Sequence, residues 1–159
     1  MRIILAVVGK IKEKYFTMAV EEYKKRLGSY VKLEIIEVAD EKTPDGASKA
    51  EEDQIKEQEA KRLLKNIKED AYVITLEIGG NMLDSVELSE KIERIGVSGY
   101  GTIVFVIGGS LGLHQSVSDR ADFKLSFSKM TFPHQLMRVI LLEQIYRSYR
   151  ILNHAPYHK

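Results

Sequence analysis

The residue types best suited to proton transfer and stacking are concentrated in residues 151–159, ILNHAPYHK. The segment contains Tyr157 and His158: a tyrosine can stack and donate a hydrogen bond, and a histidine titrates near neutral pH. Arg147 precedes it, and a guanidinium can bind a phosphate or a carboxylate. Glu143 lies one helical turn earlier, so an ordinary Glu143–Arg147 ion pair is an equally open interpretation. The segment is a candidate for chemistry on an anionic group.

A glycine-rich turn, Gly108–Gly112, follows the most apolar run of the chain. Glycines after a buried strand let the backbone approach a ligand closely and leave N–H groups free. The turn matches neither GxGxxG nor a P-loop, so a tight strand-to-helix turn is the simpler interpretation. Ser110 has GxSxG spacing, which makes a serine hydrolase with His134 or His158 as base an alternative, although the domain is small for that fold.

Two further strand ends have unusual compositions. The first is TLEIGG at 75–80, and the second is LSFSKMTFPHQLMR at 125–138, which mixes hydroxyl and phenyl side chains before a proline. In parallel sheets, ligands bind beyond the carboxyl ends of the strands. Together with 106–113, these stretches predict one binding region, although each alone also fits an ordinary strand end before a helix.

The elements that position these residues follow from hydrophobic periodicity. Apolar runs predict five strands and helical spacing predicts four helices, with Ser48 and Asp84 or Ser85 as N-caps. The strands are predicted at 3–8, 31–39, 71–78, 102–109 and 121–128, and the helices at 14–27, 48–68, 84–95 and 134–150. Their alternation predicts one α/β domain over residues 1–159, with a mainly parallel sheet flanked by helices.

The last predicted helix, 134–150, is apolar around most of its circumference. A helix of this kind is buried on several sides. In a chain of 159 residues we expect this to require packing between the sheet and a second subunit.

Composition excludes several classes of site. The chain has a net charge of +1 and no cysteine. It therefore has no disulfide framework, thiolate metal site or cysteine nucleophile, and it suits a reducing cytoplasm. No His/Asp/Glu set has metal-ligand spacing, and the apolar run Ile3–Val8 is too short for a signal peptide or a membrane span. The near-neutral charge is unlike that of a general nucleic-acid binder.

Four stretches taken together resemble a known family. They are LEIGG (76–80), VIGGSLGL (106–113), SFSKMTFPHQLMRVILLEQIYRSYRI (126–151) and NHAPYHK (153–159). The sequence resembles the ribosomal RNA large subunit methyltransferase H family, SPOUT-class enzymes that methylate N3 of a pseudouridine in 23S rRNA. The resemblance covers the whole chain. Ala155 is a small departure from the family's common N-H-P-Y-H ending.

The resemblance implies a SPOUT-type α/β knot with a C-terminal trefoil knot, in a cytoplasmic homodimer that needs no metal and no membrane. It implies that the substrate is 23S rRNA within the large subunit or the whole ribosome. It also implies that S-adenosyl-L-methionine binds, in a bent form, among the three strand ends. The positions that match the family's cofactor contacts are Leu76, Gly108, Phe127, Ser128, Lys129, Met130, Thr131 and Phe132.

Methylation of an imide nitrogen needs the N–H proton to leave, so a base or a cation that favours the anion is required. We expect Arg147 to stabilise the anion or a phosphate, and Tyr157 or His158 to position the base or accept its proton. His134 and Arg138 are weaker candidates. A non-catalytic, ribosome-associated nucleotide-binding module is a further alternative.

Overall fold

The computed structural model describes residues 1–159 as a five-stranded parallel sheet with helices on both faces. In chain order the elements are β1 (Arg2–Val8), α1 (Lys14–Leu27), β2 (Lys32–Val38), α2 (Lys49–Leu64), β3 (Tyr72–Met82), α3 (Ser85–Val97), β4 (Thr102–Ile107), α4 (Gln115–Arg120), β5 (Phe123–Ser126) and α5 (His134–Leu152). The strand order is β2-β1-β4-β3-β5, and every pairing is parallel. The predicted α/β class is confirmed, and all carboxyl strand ends lie at one edge.

The central strands β1 and β4 are apolar on both sides because both faces of the sheet are covered. On one face, Leu5 and Phe105 pack in a core with α1, α3 and α5. On the other face, Ala6 and Val106 pack with α2 and α4. All four side chains are fully buried. The larger core lies on the three-helix face, along which α5 runs.

Two helix starts follow directly from the local sequence. Ser48 and Asp84 each accept a hydrogen bond from the backbone N–H three residues later, and Glu51 and Glu87 bond back to the cap. These reciprocal capping boxes satisfy N–H groups that a helix start otherwise leaves free. The predicted caps are confirmed, with Asp84 rather than Ser85 as the second.

Several predicted boundaries were wrong. Helix α2 ends at Leu64 instead of 68, and α4 was not predicted at all; at six residues it carries little periodicity. Strand β3 does not end at Gly79–Gly80 but continues to Met82, because it pairs with β5 on both sides of an irregularity between Leu76 and Asn81. Helix α5 begins at His134 as predicted, with Pro133 as its N-cap, but ends at Leu152 instead of 150.

Helix α5 is covered largely within one protomer. None of its residues is exposed, and Leu141, Leu142 and Ile145 are fully buried against the sheet. Helices α1 and α3 pack along its two sides. Most residues of α5 are only partly buried in the single chain, so the expected packing of α5 against a second subunit stays a prediction.

Candidate active site

A cavity of about 290 Å³ opens at the edge where β3, β4 and β5 end. It is lined by seven of the eight positions predicted to bind a cofactor; Lys129 lies in the same loop but is exposed and does not line it. The seven are Leu76, Gly108, Phe127, Ser128, Met130, Thr131 and Phe132. The cavity is thus built from the three strand ends that the sequence singles out.

Gly108 is the point of closest backbone approach in the cavity wall. A Cβ added there would lie 2.8 Å from the carbonyl carbon and oxygen of Gly112. Gly112 has a φ of 85°, a conformation that side chains other than hydrogen disfavour. The turn Gly108–Gly112 therefore needs glycine at both ends.

The loop from Phe127 to Phe132 contributes another part of the wall and is held by local hydrogen bonds. The hydroxyl of Ser126 donates to the carbonyl of Ser128 at 3.1 Å, and the N–H of Met130 donates to the hydroxyl of Ser128 at 3.0 Å. The side chain of Met130 is 73 % exposed at the rim. These short-range bonds fix the loop without using residues from the rest of the wall.

Two ionisable side chains also line this cavity: Glu77 and His134. Glu77 accepts hydrogen bonds from the hydroxyls of Thr75 and Ser118. The pKa of His134 is lowered, first by burial and then by the charge of Arg138. The ionisable lining is therefore a carboxylate and an imidazole that is neutral at physiological pH.

Arg147 is the centre of a second cluster, near the C-terminal end of α5. Its Nε donates to Oε1 of Glu143 at 2.8 Å, and its Nη1 lies 3.1 Å from Nδ1 of His158. Its guanidinium carbon lies 4.7 Å from the ring centroid of Tyr157. The hydrogen bond to Glu143 is the main cause of the raised pKa of Arg147. Arg147 is therefore both the ion-pair partner of Glu143 and a direct neighbour of Tyr157 and His158.

Arg150 ties the segment after α5 to the body of the protein. Its Nη2 donates to the carbonyl of Pro156 at 3.1 Å, and its Nη1 donates to the hydroxyl of Tyr30 at 2.9 Å. The ring of Tyr30 stacks on Tyr149 with 5.9 Å between centroids. Burial raises the pKa of Tyr149 to about 12, so this ring stays protonated. The terminal segment is therefore ordered by specific contacts.

The cavity and the Arg147 cluster lie at opposite ends of α5. His134 and Met137, in the first turn of the helix, line the cavity. From His134 to Arg147 a helix rises about 20 Å. The predicted cofactor residues and the predicted catalytic residues therefore form two separate clusters within one protomer.

Arg138, a weaker catalytic candidate from the sequence, is buried and its hydrogen bonds join elements of the fold. It is 1 % exposed, and its Nη2 donates to the carbonyls of Val8 and Gly9 at 3.0 and 2.8 Å. Its Nη1 donates to Glu37 at 2.8 Å. Arg138 joins the ends of β1 and β2 to the start of α5, and it lines neither the cavity nor the Arg147 cluster.

The serine hydrolase alternative lacks its proton-accepting partner. Ser110 lies at the cavity, but neither His134 nor His158 hydrogen-bonds to it. The ring of His158 is engaged by Arg147 at the far end of α5. His114, the N-cap of α4, directs its Nδ1 to Ser116. The geometry gives no nucleophile–base pair.

Comparison with known families decides the classification. A family model described as "Predicted SPOUT methyltransferase" matches residues 1–158. The chain belongs to the SPOUT methyltransferase family. The family resemblance drawn from the four sequence stretches is thereby confirmed.

Curated relatives of this SPOUT methyltransferase match over its full length. A Methanococcus vannielii protein named "Putative ribosomal RNA large subunit methyltransferase H" is 63 % identical over 159 residues, covering 100 % of both chains. A Clostridium tetani protein named "Ribosomal RNA large subunit methyltransferase H" is 60 % identical over the same span, again with full coverage of both.

Among solved structures, a probable methylase family protein from Haemophilus influenzae has a similar fold. It superposes with a TM-score of 0.55 at 13 % identity, covering 99 % of this chain and 70 % of that chain. At this identity the likeness concerns the fold alone. In this SPOUT methyltransferase no group of three or more His, Asp or Glu side chains is arranged to hold a metal ion. Its helices include none with the length and apolar character of a bilayer-crossing segment.

Proposed function

We propose that this protein is an S-adenosyl-L-methionine-dependent methyltransferase that modifies N3 of a pseudouridine in 23S rRNA. We further propose that it acts in the cytoplasm, as a homodimer, on the assembled large subunit or ribosome. The observation that carries the proposal is the cavity of about 290 Å³ lined by residues from all three family-like strand ends. The full-length relatives named as rRNA large subunit methyltransferases support the substrate class.

The cavity residues fit the cofactor. Gly108, where a Cβ would meet the backbone of Gly112, allows the tight turn that contributes backbone to the cavity wall. Leu76, Phe127 and Phe132 provide apolar and aromatic surface for an adenine ring. When bound, S-adenosyl-L-methionine supplies an electrophilic methyl group on a sulfonium, so the protein's task is mainly alignment.

In the proposed mechanism, the Arg147 cluster handles the acceptor base. The imide proton must leave N3 for a solvent water or hydroxide before the nitrogen can attack, and the permanent charge of Arg147 favours the resulting anion. Because Arg147 occupies Nδ1 of His158, that ring presents Nε2–H, which can donate to a carbonyl of the base. We therefore assign His158 to positioning, and Tyr157, which lies beside the guanidinium, to stacking.

A shared site in a homodimer reconciles the two clusters. Within one protomer about 20 Å of α5 separates them, too far for a direct methyl transfer. A second copy that brings its Arg147 cluster to the cavity would complete the site. Ile78, Met82 and Met130 are more than half exposed near the cavity, at 52 %, 53 % and 73 %, and such apolar side chains suit a protein contact. The C-terminal trefoil knot stays a prediction from the family resemblance.

The net charge of +1 favours the ribosome over free RNA as substrate. An RNA chain bound through its phosphates alone would call for a broad basic surface. An assembled ribosome can instead be recognised by shape and a few contacts. Lys10, Lys12 and Lys14, which follow β1, are candidates for such contacts.

Mass spectrometry of 23S rRNA tests the function directly. We expect rRNA from a strain lacking the gene to have lost one methyl group from a pseudouridine, and the purified protein with S-adenosyl-L-methionine to restore it on ribosomes but not on free 23S rRNA. Identical rRNA masses with and without the gene, together with no transfer in vitro, would instead indicate the non-catalytic module.

Complementation between two inactive subunits tests the shared site. One subunit carries Gly108→Val, which must displace the turn at the cavity wall, and the other ends after Asn153. A heterodimer of the two contains one site with an intact cavity and an intact partner cluster, so roughly half of the activity should return. If each site were made by one protomer, the mixed dimer would be inactive.

A further inference from the structure

Glu77 is the only carboxylate among the residues that line the cavity. It belongs to the LEIGG stretch but lies outside the set of positions that the resemblance assigns to the cofactor. No Lys, Arg or His side chain forms an ion pair with it. The protein therefore leaves this negative charge uncompensated at the wall of a half-enclosed cavity.

The carboxylate of Glu77 is held by two buried hydroxyls. The hydroxyl of Thr75 donates to Oε2 at 2.5 Å, and the hydroxyl of Ser118 lies 2.9 and 3.1 Å from Oε1 and Oε2. Thr75 is 0 % and Ser118 7 % exposed, so both donors are fixed by their packing. An ionised carboxylate has about four acceptor positions, so two hydroxyl donors leave some free for a ligand.

The rest of the cavity supplies no positive charge to compete. His134 is the other ionisable side chain in the lining, and burial lowers its pKa, which keeps it neutral. The remaining lining residues are apolar, glycine, serine or threonine. An isolated, oriented carboxylate in such surroundings is complementary to a cation, because opposite charges attract strongly where water is partly excluded.

We propose that Glu77 recognises the positive charge of the methyl donor in this cavity. The assignment rests on the proposed function, in which the donor is S-adenosyl-L-methionine. That molecule has two cationic groups, the ammonium of its amino-acid part and the sulfonium that bears the methyl. Either group can meet the carboxylate, and both share the chemistry on which the proposal depends.

Calorimetry with three ligands separates these groups. S-adenosyl-L-methionine carries both cations, S-adenosyl-L-homocysteine carries only the ammonium, and methylthioadenosine carries neither. Each is titrated into the wild-type protein and into Glu77→Gln, which keeps the size and an acceptor oxygen. Glu93→Gln, an exposed carboxylate on α3, is the matched control, and thermal unfolding without ligand checks that each variant is folded.

The wild-type titration comes first, and its failure would overturn the proposed function rather than this inference. In Glu77→Gln we expect S-adenosyl-L-methionine to bind roughly ten-fold more weakly or worse, while methylthioadenosine binds as in the wild type. If the affinity for S-adenosyl-L-homocysteine falls by the same factor, Glu77 contacts the ammonium. If that affinity is unchanged, Glu77 contacts the sulfonium.

Two results would overturn the inference. Equal weakening of all three ligands would mean that Glu77 contacts the nucleoside, and unchanged binding of all three would mean that it contacts no ligand. Should Glu77→Gln fail to fold, Ser118→Ala provides a second test, because it removes one hydroxyl that orients the carboxylate. Ser118→Ala should lower the affinity for S-adenosyl-L-methionine by a smaller factor and again leave the affinity for methylthioadenosine unchanged.

Discussion

The side chains of Arg147 and His158 lie within hydrogen-bond distance, with 3.1 Å between Nη1 and Nδ1. Arginine can only donate, so Nδ1 of His158 accepts, and the neutral ring carries its proton on Nε2. The same guanidinium lies over the ring of Tyr157 and donates a hydrogen bond to Glu143. One arginine therefore orients both aromatic side chains of the terminal segment.

Replacing Arg147 should abolish methylation without affecting cofactor binding. In Arg147→Ala the anion loses its cation and His158 loses its partner, so we expect kcat to fall by about 100-fold or more. Helix α5 keeps its buried face, and Arg147 is not among the residues that line the cofactor cavity. Single-turnover methylation and calorimetry measure the two effects. Arg94→Ala, an exposed arginine on α3, is the control, and retained activity in Arg147→Ala would remove Arg147 from the mechanism.

A chain that ends after Asn153 should fold and bind cofactor but not methylate. The six residues removed contribute no buried side chain, and their main contacts are made by Arg147, Arg150 and Tyr146 at the surface of α5. Circular dichroism, calorimetry with S-adenosyl-L-methionine and a ribosome methylation assay check the three expectations. Activity close to that of the full chain would contradict the assignment of Tyr157 and His158.

A side chain at Gly108 should prevent cofactor binding, whereas one at Gly79 should not. The added Cβ of Gly108→Ala meets the backbone of Gly112 at 2.8 Å, so the turn must shift. Nothing lies within 4 Å of the corresponding Cβ at Gly79. We expect at least ten-fold weaker binding of S-adenosyl-L-methionine in Gly108→Ala and unchanged binding in Gly79→Ala. Equal affinities in the two variants would show that the turn does not shape the site.

Local signals predicted much of the fold. Apolar runs located all five strands, and Ser48 and Asp84 located two helix starts, because these features depend on residues that are neighbours in the chain. The end of β3 was missed because the pairing of Asn81 with Leu125 continues the strand past two glycines. That stabilisation comes from a distant segment, which local propensity does not contain.

For the candidate site too, features encoded by neighbouring residues were predicted and those that depend on distant segments were not. Strand-end composition and family motifs identified most of the cavity wall, but the separation of Arg147 from the cavity depends on how α5 lies across the sheet. Glu77 was missed because its two hydroxyl partners, Thr75 and Ser118, come together only in the folded chain. Arg138, a weaker catalytic candidate from the sequence, is buried because its guanidinium donates to the carbonyls of Val8 and Gly9, which lie 130 and 129 residues away in the chain.

Loss of Arg138 should destabilise the fold. Arg138→Met leaves the buried carbonyls of Val8 and Gly9 without this donor, and each such group costs about 1–3 kcal/mol, so we expect a loss of about 2–6 kcal/mol in the free energy of unfolding. Glu37→Gln should also destabilise the fold, because the guanidinium of Arg138 is 1 % exposed and would lose its only carboxylate partner. Urea denaturation measures both, and an Arg138→Met variant as stable as the wild type would contradict this account of Arg138.

Glu59 should make stability depend on pH. This carboxylate is 5 % exposed, lies behind Gly109 of the cavity turn, and accepts from the N–H of Glu41. Burial, as the largest cause, raises its pKa above 4.5, so the folded state holds the proton to higher pH than the unfolded state does. As pH rises from 4.5 through the folded pKa, stability is therefore lost.

The variant Glu59→Gln has no proton to lose at this position and keeps an oxygen for the N–H of Glu41. Its advantage over the wild type in free energy of unfolding should be small at pH values below 4.5 and should grow as the pH rises to neutrality. Urea denaturation across this range, with the exposed Glu90→Gln as control, measures the difference. If the free energies of unfolding of wild type and Glu59→Gln change with pH in parallel, ionisation of the buried carboxylate does not destabilise the fold.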